Sequence, residues 1–526
     1  MKWYFILSLI PYFAYIVFKA KKYMHMLQQN WYNDGNRYIK WVMNNFEKVF
    51  LVFDVLFIIF AFLKNEYAII TFAVFYIICY ILHRNKVRKE QSKKPLVITA
   101  RIKRLYTTML ILHLVCIVPM IIFYNDINLQ VFYVFMGLLV YINPFVIWLS
   151  NIINKPIEKM VFNHYKRMAK NKLKAMPSLM KVGITGSYGK TSTKNALNDI
   201  LNVKFNSFAT EKSFNTMNGL MISINNKLDK FSDIFVAEMG AFRQGEIKEK
   251  AEFIEPQYAI LTTIGTAHLE DFGCIENTQK AKFELIESLP RNGVAILNKD
   301  DEYQTSYKVK SKCKKVWVSM RFKEADVYAS DVKLSNKGTT FKVKFADTKK
   351  VIELETKLLG SANVYNVLQA VALAHELGLS DEQIKIGVKR IATIEHRLEL
   401  KKFADINIID DAYNSNPVGS KMAVDVLGMM PGKKIIVTPG MIELGDKQYE
   451  YNMKFGRQIA KVCDEVILIG EEQTKPILDG LKKEKYNEEK IHILNDVKKA
   501  FPLMRKLKDK ETYVLLENDL PDIFNE

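Results

Sequence analysis

The first 150 residues alternate between long apolar runs and short polar connections. Five runs stand out, roughly 3–18, 49–63, 67–82, 106–124 and 130–149. Most are a little shorter than the ~20 residues a spanning helix needs, within or near the ~17–25 range. The pattern predicts a polytopic α-helical membrane region of about five spans. The first run has no basic segment before it beyond Lys2 and no small-residue cleavage site, so it reads as an anchor. Asp54 is the one acid inside a predicted span, and no charge pair within the spans is expected. From residue 178 the period changes. Short β-rich runs (LMKVGIT, DIFVAEMG, YAILTTIG, GVAILN) alternate with helical stretches (TKNALNDIL, TQKAKFELIES). This predicts a mostly parallel sheet covered by helices. A strand-rich patch, VYASDVKLSNKGTTFKVKF, and a long helix, GSANVYNVLQAVALAHELG, follow. A second alternation begins near 404 with INIIDDAY and KKIIVTPG. The expected organisation is a transmembrane region at 1–150, a basic helical linker at 151–177 lying against anionic headgroups, an α/β domain at 178–392 and a Rossmann-like α/β domain at 393–526.

Charge sharpens this division. The net charge is +19, from 76 Lys+Arg against 57 Asp+Glu. Through Lys181 the chain holds 25 basic and 7 acidic residues, which leaves 51 and 50 for the rest. The excess therefore belongs to the apolar half. A nucleic-acid protein carries it on a folded binding surface, so nucleic acid is excluded as a partner. The connections 19–48 and 83–104, the latter with the run HRNKVRKE, are basic, whereas 64–66 and 125–129 hold one basic residue between them. By the positive-inside rule the basic connections are cytoplasmic. Five spans then place the N-terminus outside and everything after residue 150 in the cytosol, as for a multi-pass protein of a bacterial plasma membrane. The five cysteines are widely spaced and form no CxxC pair, which gives neither a zinc site nor a disulfide framework.

The stretch GITGSYGKTSTKNAL, residues 183–197, carries the candidate chemistry. Glycines let backbone N–H groups approach phosphate, and the following helix adds its N-terminal dipole. Lys190 can reach the β/γ-phosphates of ATP, and the Thr191 hydroxyl can ligate Mg²⁺. Gly186, Ser187, Gly189 and Ser192 complete the candidate nucleotide loop, which makes the central domain a P-loop ATPase type. The pattern is G-x-x-G-x-x-G-K-T; Ile184 stands where the general P-loop has glycine.

This variant resembles the ATP loop of the Mur ligase family, the amide-forming enzymes of peptidoglycan precursor synthesis, with the related folyl-polyglutamate synthetases. Downstream segments carry the likeness on: VAEMGA, TTIGTAHLEDFG, AKFELI, LNKDD, LGSANVYN, EHRLE, IDDAYNSNP and GMIELG. IDDAYNSNP is very close to the corresponding box of the D-alanyl-D-alanine-adding members. The resemblance covers about residues 181–526. It implies Mg²⁺ at Glu238, with Thr191, and a second Mg²⁺ at His268, supported by a carbamylated Lys282. It also implies adenine beside Asn363 and Asn366, Arg397 at the phosphates, ribose on Asp411, and Asn414, Asn416 and Glu443 in the same loops. The implied catalytic set is Lys190, His268, Lys282 and Arg397.

The chemistry explains these residue types. A carboxylate is a poor acyl donor, so it attacks the γ-phosphate of ATP to give an acyl phosphate, which an amine then displaces. Phosphates and carboxylate must converge, which demands cations, and hydroxyl and carboxylate oxygens suit Mg²⁺. Four departures from the family pattern stand out. The membrane region occupies the place of the UDP-binding N-terminal domain. Ala362 replaces a histidine. Met217 stands where an acid is usual in TEKSFNTMNG, although Asn215 and Gly219 remain. LLENDLPD, with Glu517, Asp519 and Asp522, replaces a basic loop near the incoming amino acid. The expected protein is a membrane-bound, ADP-forming acid–amine ligase. It would join a carboxylate on a lipid-linked glycan or envelope precursor to an amino acid, short peptide or other amine, alongside other envelope-glycan enzymes. The alternatives are a polymerising amino-acid ligase of the poly-γ-glutamate or folyl-polyglutamate type, and a non-catalytic nucleotide-binding scaffold for envelope assembly.

Overall fold

The structure is a computed structural model that describes residues 3–30, 32, 37–63, 65–87, 95–122, 129–265, 269–403, 405–413, 415–442 and 444–519. His268, Asn414, Glu443 and Asp522 lie outside these residues. The chain forms two compact units, Met1–His164 and Tyr165–Glu526.

The first unit is helical: α1 (Trp3–Gln29), α2 (Asn65–Val87), α3 (Ala100–Ile122), α4 (Leu129–Tyr141) and α5 (Asn143–Lys174), with short helices between α1 and α2. Among the described residues two helical segments, Tyr67–Asn85 and Ala100–Met120, are long and apolar enough to cross a membrane. α4 and α5 meet at a 68° bend and make a third if they form one span. Two or three of the five expected spans thus have helices of spanning length and composition among the described residues. The run 49–63 is broken into Phe46–Val49, Val52–Val55 and a 3-10 stretch, Leu56–Phe62. The first run lies in α1, which goes on through Lys19, Lys21 and Lys22.

Lys19, just past the first run, and Asp54, within the second, meet inside the helical unit. Their side chains are fully buried and meet at 2.6 Å. The Tyr15 hydroxyl donates to the other carboxylate oxygen at 2.5 Å. A charge pair thus sits inside the helical unit, contrary to the sequence expectation. A charge taken from water needs a counter-charge and hydrogen bonds, and this pair has both. The interior of the unit is largely apolar but rich in tyrosine, and apolar side chains are also exposed on its surface. Tyr12, Tyr15, Tyr23, Tyr38, Tyr76 and Tyr133 are buried, whereas Ile70 and Ile122 are each 70% exposed.

The second unit opens with the end of α5. Residues 151–174 are helical, and two of their basic side chains in this unit pair with carboxylates. Lys166 meets Glu249 at 2.8 Å and Lys170 meets Glu255 at 3.7 Å, at the helix Glu246–Ile254. A nine-stranded sheet follows, from β1 (Met180–Thr185), β2 (Ser207–Ala209), β3 (Ile234–Glu238), β4 (Tyr258–Leu261), β5 (Val294–Asn298), β6 (Lys314–Ser319), β7 (Val327–Ser335), β8 (Gly338–Phe345) and β9 (Val351–Thr356), in the order β2-β3-β1-β4-β5-β6-β7-β8-β9. It is parallel through β7; β8 and β9 add antiparallel. β1, β3 and β5 read as near-continuous apolar runs because helices cover both faces.

A six-stranded sheet completes the unit: β10 (Glu399–Phe403), β11 (Ile406–Asp411), β12 (Lys433–Thr438), β13 (Glu465–Ile469), β14 (Ile491–Leu494) and β15 (Thr512–Glu517), in the order β10-β11-β15-β12-β13-β14. All pairs are parallel except β10 with β11. In both sheets the candidate residues fall at the C-terminal ends of parallel strands, where ligands of open α/β sheets bind.

Candidate functional site

β1 ends at Thr185, and the chain turns through Gly186–Gly189 into α6 (Lys190–Leu201). The loop is fastened to the end of β4. Ser187 N–H donates to Thr263 O at 2.6 Å, and the Thr262 hydroxyl donates to Thr185 O and Tyr188 O. Glycine is required twice. Gly186 and Gly189 have φ of 149° and 80°, and a Cβ would strike Thr262 Oγ1 at the first and Asn366 Oδ1 at the second.

Two lysines, Lys190 and Lys194, converge near one carboxylate, and Lys282 lies close to Lys190. Glu238 ends β3 and is 1% exposed. The Thr191 hydroxyl lies 3.1 and 3.0 Å from its two oxygens. Lys194 Nζ stands 3.3 Å from Oε2, with a side chain 0% exposed, and Asn215 Nδ2 donates to Oε1 at 3.2 Å. Lys190 curls back over the loop and donates to Gly186 O at 2.8 Å and Ser187 O at 3.0 Å. Removal from water, opposed by the Glu238 charge and aided by Arg397, pushes its pKa down to about 8. Lys282, on the helix Ile275–Glu287, is buried over the Phe272 ring with Nζ 5.3 Å from the ring centre. Its burial, with Lys190 and Lys250 nearby, drives its pKa well below the usual lysine value.

Asn363 and Asn366 occupy the first turns of the helix Ser361–Glu376 and bond to each other at 3.0 Å. Asn366 also accepts from Thr193 Oγ1 at 3.2 Å, which places this helix on the phosphate loop. Asn298, Asp300 and Asp301 join elements instead. Asp300 accepts from Ser319, Met320 and Tyr365, and Asp301 from Ile264 N–H.

Arg397 stands between two residues in the left-handed region, His396 at φ 60° and Leu398 at φ 48°, a strained stretch of the kind that holds functional side chains. Its guanidinium stacks on Tyr413 at 4.3 Å, and the Tyr413 hydroxyl meets Ser213 of the first α/β domain. The Arg397 charge is felt by both Lys190 and Lys194. Asp411 accepts from Leu398 N–H at 3.1 Å. Asn416 caps the helix Pro417–Gly428, accepting from Val418 and Gly419 N–H.

Two sequence stretches that match known families coincide with these halves. Residues 184–374 match the Mur ligase middle domain, and residues 396–517 match the Mur ligase glutamate ligase domain. The UDP-N-acetylmuramoyl-tripeptide–D-alanyl-D-alanine ligase of Bacillus subtilis is 30% identical over 329 residues, 60% of this chain and 69% of that protein. The chain belongs to the Mur ligase family. The enzyme of the same name from Escherichia coli is 31% identical over 295 residues, 55% of this chain. The present chain spans 64% of the length of that relative. A MurF ligase of Thermotoga maritima in complex with ADP superposes with a TM-score of 0.60 at 25% identity, over 68% of this chain and 80% of that one.

Against this Mur ligase framework, the structure brings together Gly186, Ser187, Gly189, Lys190, Thr191, Ser192, Glu238, Asn363 and Asn366, with Arg397 acting on the same lysines. Sequence reasoning missed Lys194, which reads as one more lysine of an amphipathic helix; its position one turn past the loop was the available signal. It also misread Glu517. That residue is 1% exposed, accepts from Ser415 Oγ at 2.6 Å and pairs in register with Asp411 across β11 and β15. It faces a second carboxyl and not an open acceptor loop. Burial, then Asp411, raises its pKa well above the usual carboxylate value, and burial raises that of Asp411 to about 6. Asn518 was missed as well. Its amide accepts from Ser415 N–H at 3.2 Å and donates to Gly440 O at 2.6 Å, which ties three strand ends together.

Proposed function

We propose that the chain is an ATP-dependent, ADP-forming amide ligase that modifies a cell-envelope precursor. The observation that carries the reading is the convergence of Thr191, Glu238, Lys190, Lys282 and Arg397 at the ends of β1 and β3. The phosphate loop and α6 hold the ATP phosphates, with Lys190 swinging off its own loop carbonyls onto the β/γ-phosphates. Asn363 and Asn366 border adenine, and Asp411, with Asn414, the ribose. Thr191 and Glu238 fit Mg²⁺, because a hydroxyl and a carboxylate already in contact are a hard-oxygen pair. When bound, Mg²⁺ neutralises phosphate charge. His268 and Lys282 belong to a second cation site in this reading, with Lys282 carbamylated.

The donor carboxylate oxygen attacks the γ-phosphorus and ADP leaves. The acceptor amine then attacks the acyl carbon, loses a proton, and phosphate departs with its bonding pair. Lys190 and Arg397 hold the anions together through both steps, and Tyr413 on Ser213 keeps Arg397 over the loop. Closing the two α/β domains excludes water from the acyl phosphate.

We assign residues 1–150 to the membrane, 151–177 to a linker, and 178–392 and 393–526 to the two ligase domains. A helical unit with tyrosines inside and isoleucines outside supports membrane residence, with the ligase domains in the cytosol of a bacterium. The relatives in Bacillus subtilis and Escherichia coli are named for a UDP-muramoyl tripeptide and a dipeptide. For the present chain the membrane unit supports a lipid-linked carboxylate donor and an amino acid or short peptide acceptor. Lys190→Ala is expected to abolish ADP release in the presence of carboxylate and amine. Undiminished ADP formation in that variant would overturn the loop assignment.

A further inference from the structure

Lys194 lies outside the phosphate loop, one turn into α6, yet its side chain is fully buried. Its ammonium has two partners. One is Glu238 Oε2 at 3.3 Å. The other is the carbonyl of Lys212, in the segment that joins β2 to the next helix. That segment also supplies Asn215, which donates to Glu238 Oε1, and Ser213, which meets Tyr413 of the second α/β domain. Its backbone is fixed at Gly240, whose N–H donates to Asn215 O at 2.8 Å. One buried cation therefore joins the carboxylate at the end of β3 to the segment that reaches the other domain.

We infer that Lys194 is a positioning residue with two effects: its ammonium competes with a divalent cation for Glu238, and it tethers residues 210–216 to the metal-binding end of β3. The inference rests on the reading of Glu238 as a cation ligand given above. A positive charge beside a ligating carboxylate weakens the hold of that carboxylate on a second cation. Removing it should raise divalent-cation affinity about tenfold or more, given how strongly charges interact at this separation when little water intervenes. The same removal frees the Lys212 carbonyl and slackens the segment bearing Asn215 and Ser213. Divalent-cation affinity and turnover should thus move in opposite directions, whereas a residue that merely supports packing would weaken both.

The test is a titration of Mn²⁺ into the nucleotide-free, full-length protein in detergent, followed by electron paramagnetic resonance, with backbone hydrogen exchange over residues 210–216. Lys194→Met is expected to bind Mn²⁺ about tenfold more tightly than the native chain, to exchange faster in 210–216, and to show a lower kcat with a lower Mg²⁺ requirement. Lys194→Arg, which keeps the charge, should stay within about twofold of the native affinity. Should Lys194→Met fail to fold, Lys194→Gln answers the same question, because it keeps a donor for the Lys212 carbonyl and loses the charge. Glu238→Gln separates the two readings. If it binds Mn²⁺ as the native chain does, the assignment of Glu238 as a ligand fails. If it loses binding while the uncharged Lys194 variants bind no more tightly than the native chain, the competition by Lys194 is refuted. Unchanged exchange in 210–216 of Lys194→Met refutes the tether.

Discussion

Lys282 shows how burial can change what a side chain is. A lysine at the surface is an ammonium ion and inert toward carbon dioxide. Lys282 is 3% exposed, and among the described residues its Nζ lies 3.5 Å from Ala241 O and over the Phe272 ring. Burial and the nearby charges of Lys190 and Lys250 favour the neutral amine. A neutral amine adds carbon dioxide to give a carbamate, which returns a negative charge to a region that holds three lysines. A carbamate on Lys282, as proposed, would be favoured by the same positive field that disfavours the ammonium. With ¹³C-bicarbonate the native protein is expected to show a carbamate carbon resonance that Lys282→Met lacks. That variant should also lose most of its ADP formation. A native spectrum without the resonance would leave Lys282 as a plain amine.

At the scale of elements, the register of β11 and β15 creates the carboxyl pair. Asp411 and Glu517 end neighbouring parallel strands in register, so their side chains must share space. Glu517, the more deeply buried, keeps the proton. Both folded pKa values lie above those of the unfolded chain. The folded state therefore binds more protons. The pair's contribution to stability is full below about pH 4, the unfolded range, and is lost as pH rises through about 6 and beyond. Glu517→Gln supplies a permanent donor toward Asp411 and keeps an acceptor for Ser415. It is expected to raise stability by about 1–2 kcal/mol at pH 7.5, with no gain near pH 4. Unfolding midpoints of native and variant chains at the two pH values check this. The pair also marks where the sequence stopped being legible. Alternating periods revealed the parallel strands and their helices, because each strand's environment is written in its own residues. The glycines and the Lys190-Thr191 pair revealed the loop, because backbone geometry demands them locally. Lys194 with Glu238, Asp411 with Glu517, and Lys19 with Asp54 are separated by tens of residues or more. Nothing in either segment names the other, and a charge reads as solvated until its partner is seen.

For the whole molecule, the distribution of charge supplies a test of where the two Mur ligase domains face in the proposed topology. Two or three helices of spanning length and composition are enough to frame the proposed cytosolic placement. α2 and α3 are the two helices with spanning segments, and the residues between them, 88–99, hold Arg88, Lys89, Lys93 and Lys94; Arg101, Lys103 and Arg104 open α3. In the proposed topology the positive-inside rule puts that connection on the cytoplasmic side. α3 then leads outward to 123–128, which contains no basic residue. If the bent pair α4–α5 returns across the bilayer, the chain re-enters the cytosol before Tyr165. This outcome does not depend on whether the first two apolar runs span. If the bent pair only dips into the bilayer and turns back, the ligase domains would face a compartment without ATP. Protease added to intact spheroplasts is expected to spare residues 165–526, and protease added to inverted vesicles to digest them. Alkaline carbonate should leave the full chain in the membrane fraction. Digestion of the ligase domains in intact spheroplasts would exclude the bent pair as a crossing, and with it the use of cytosolic ATP.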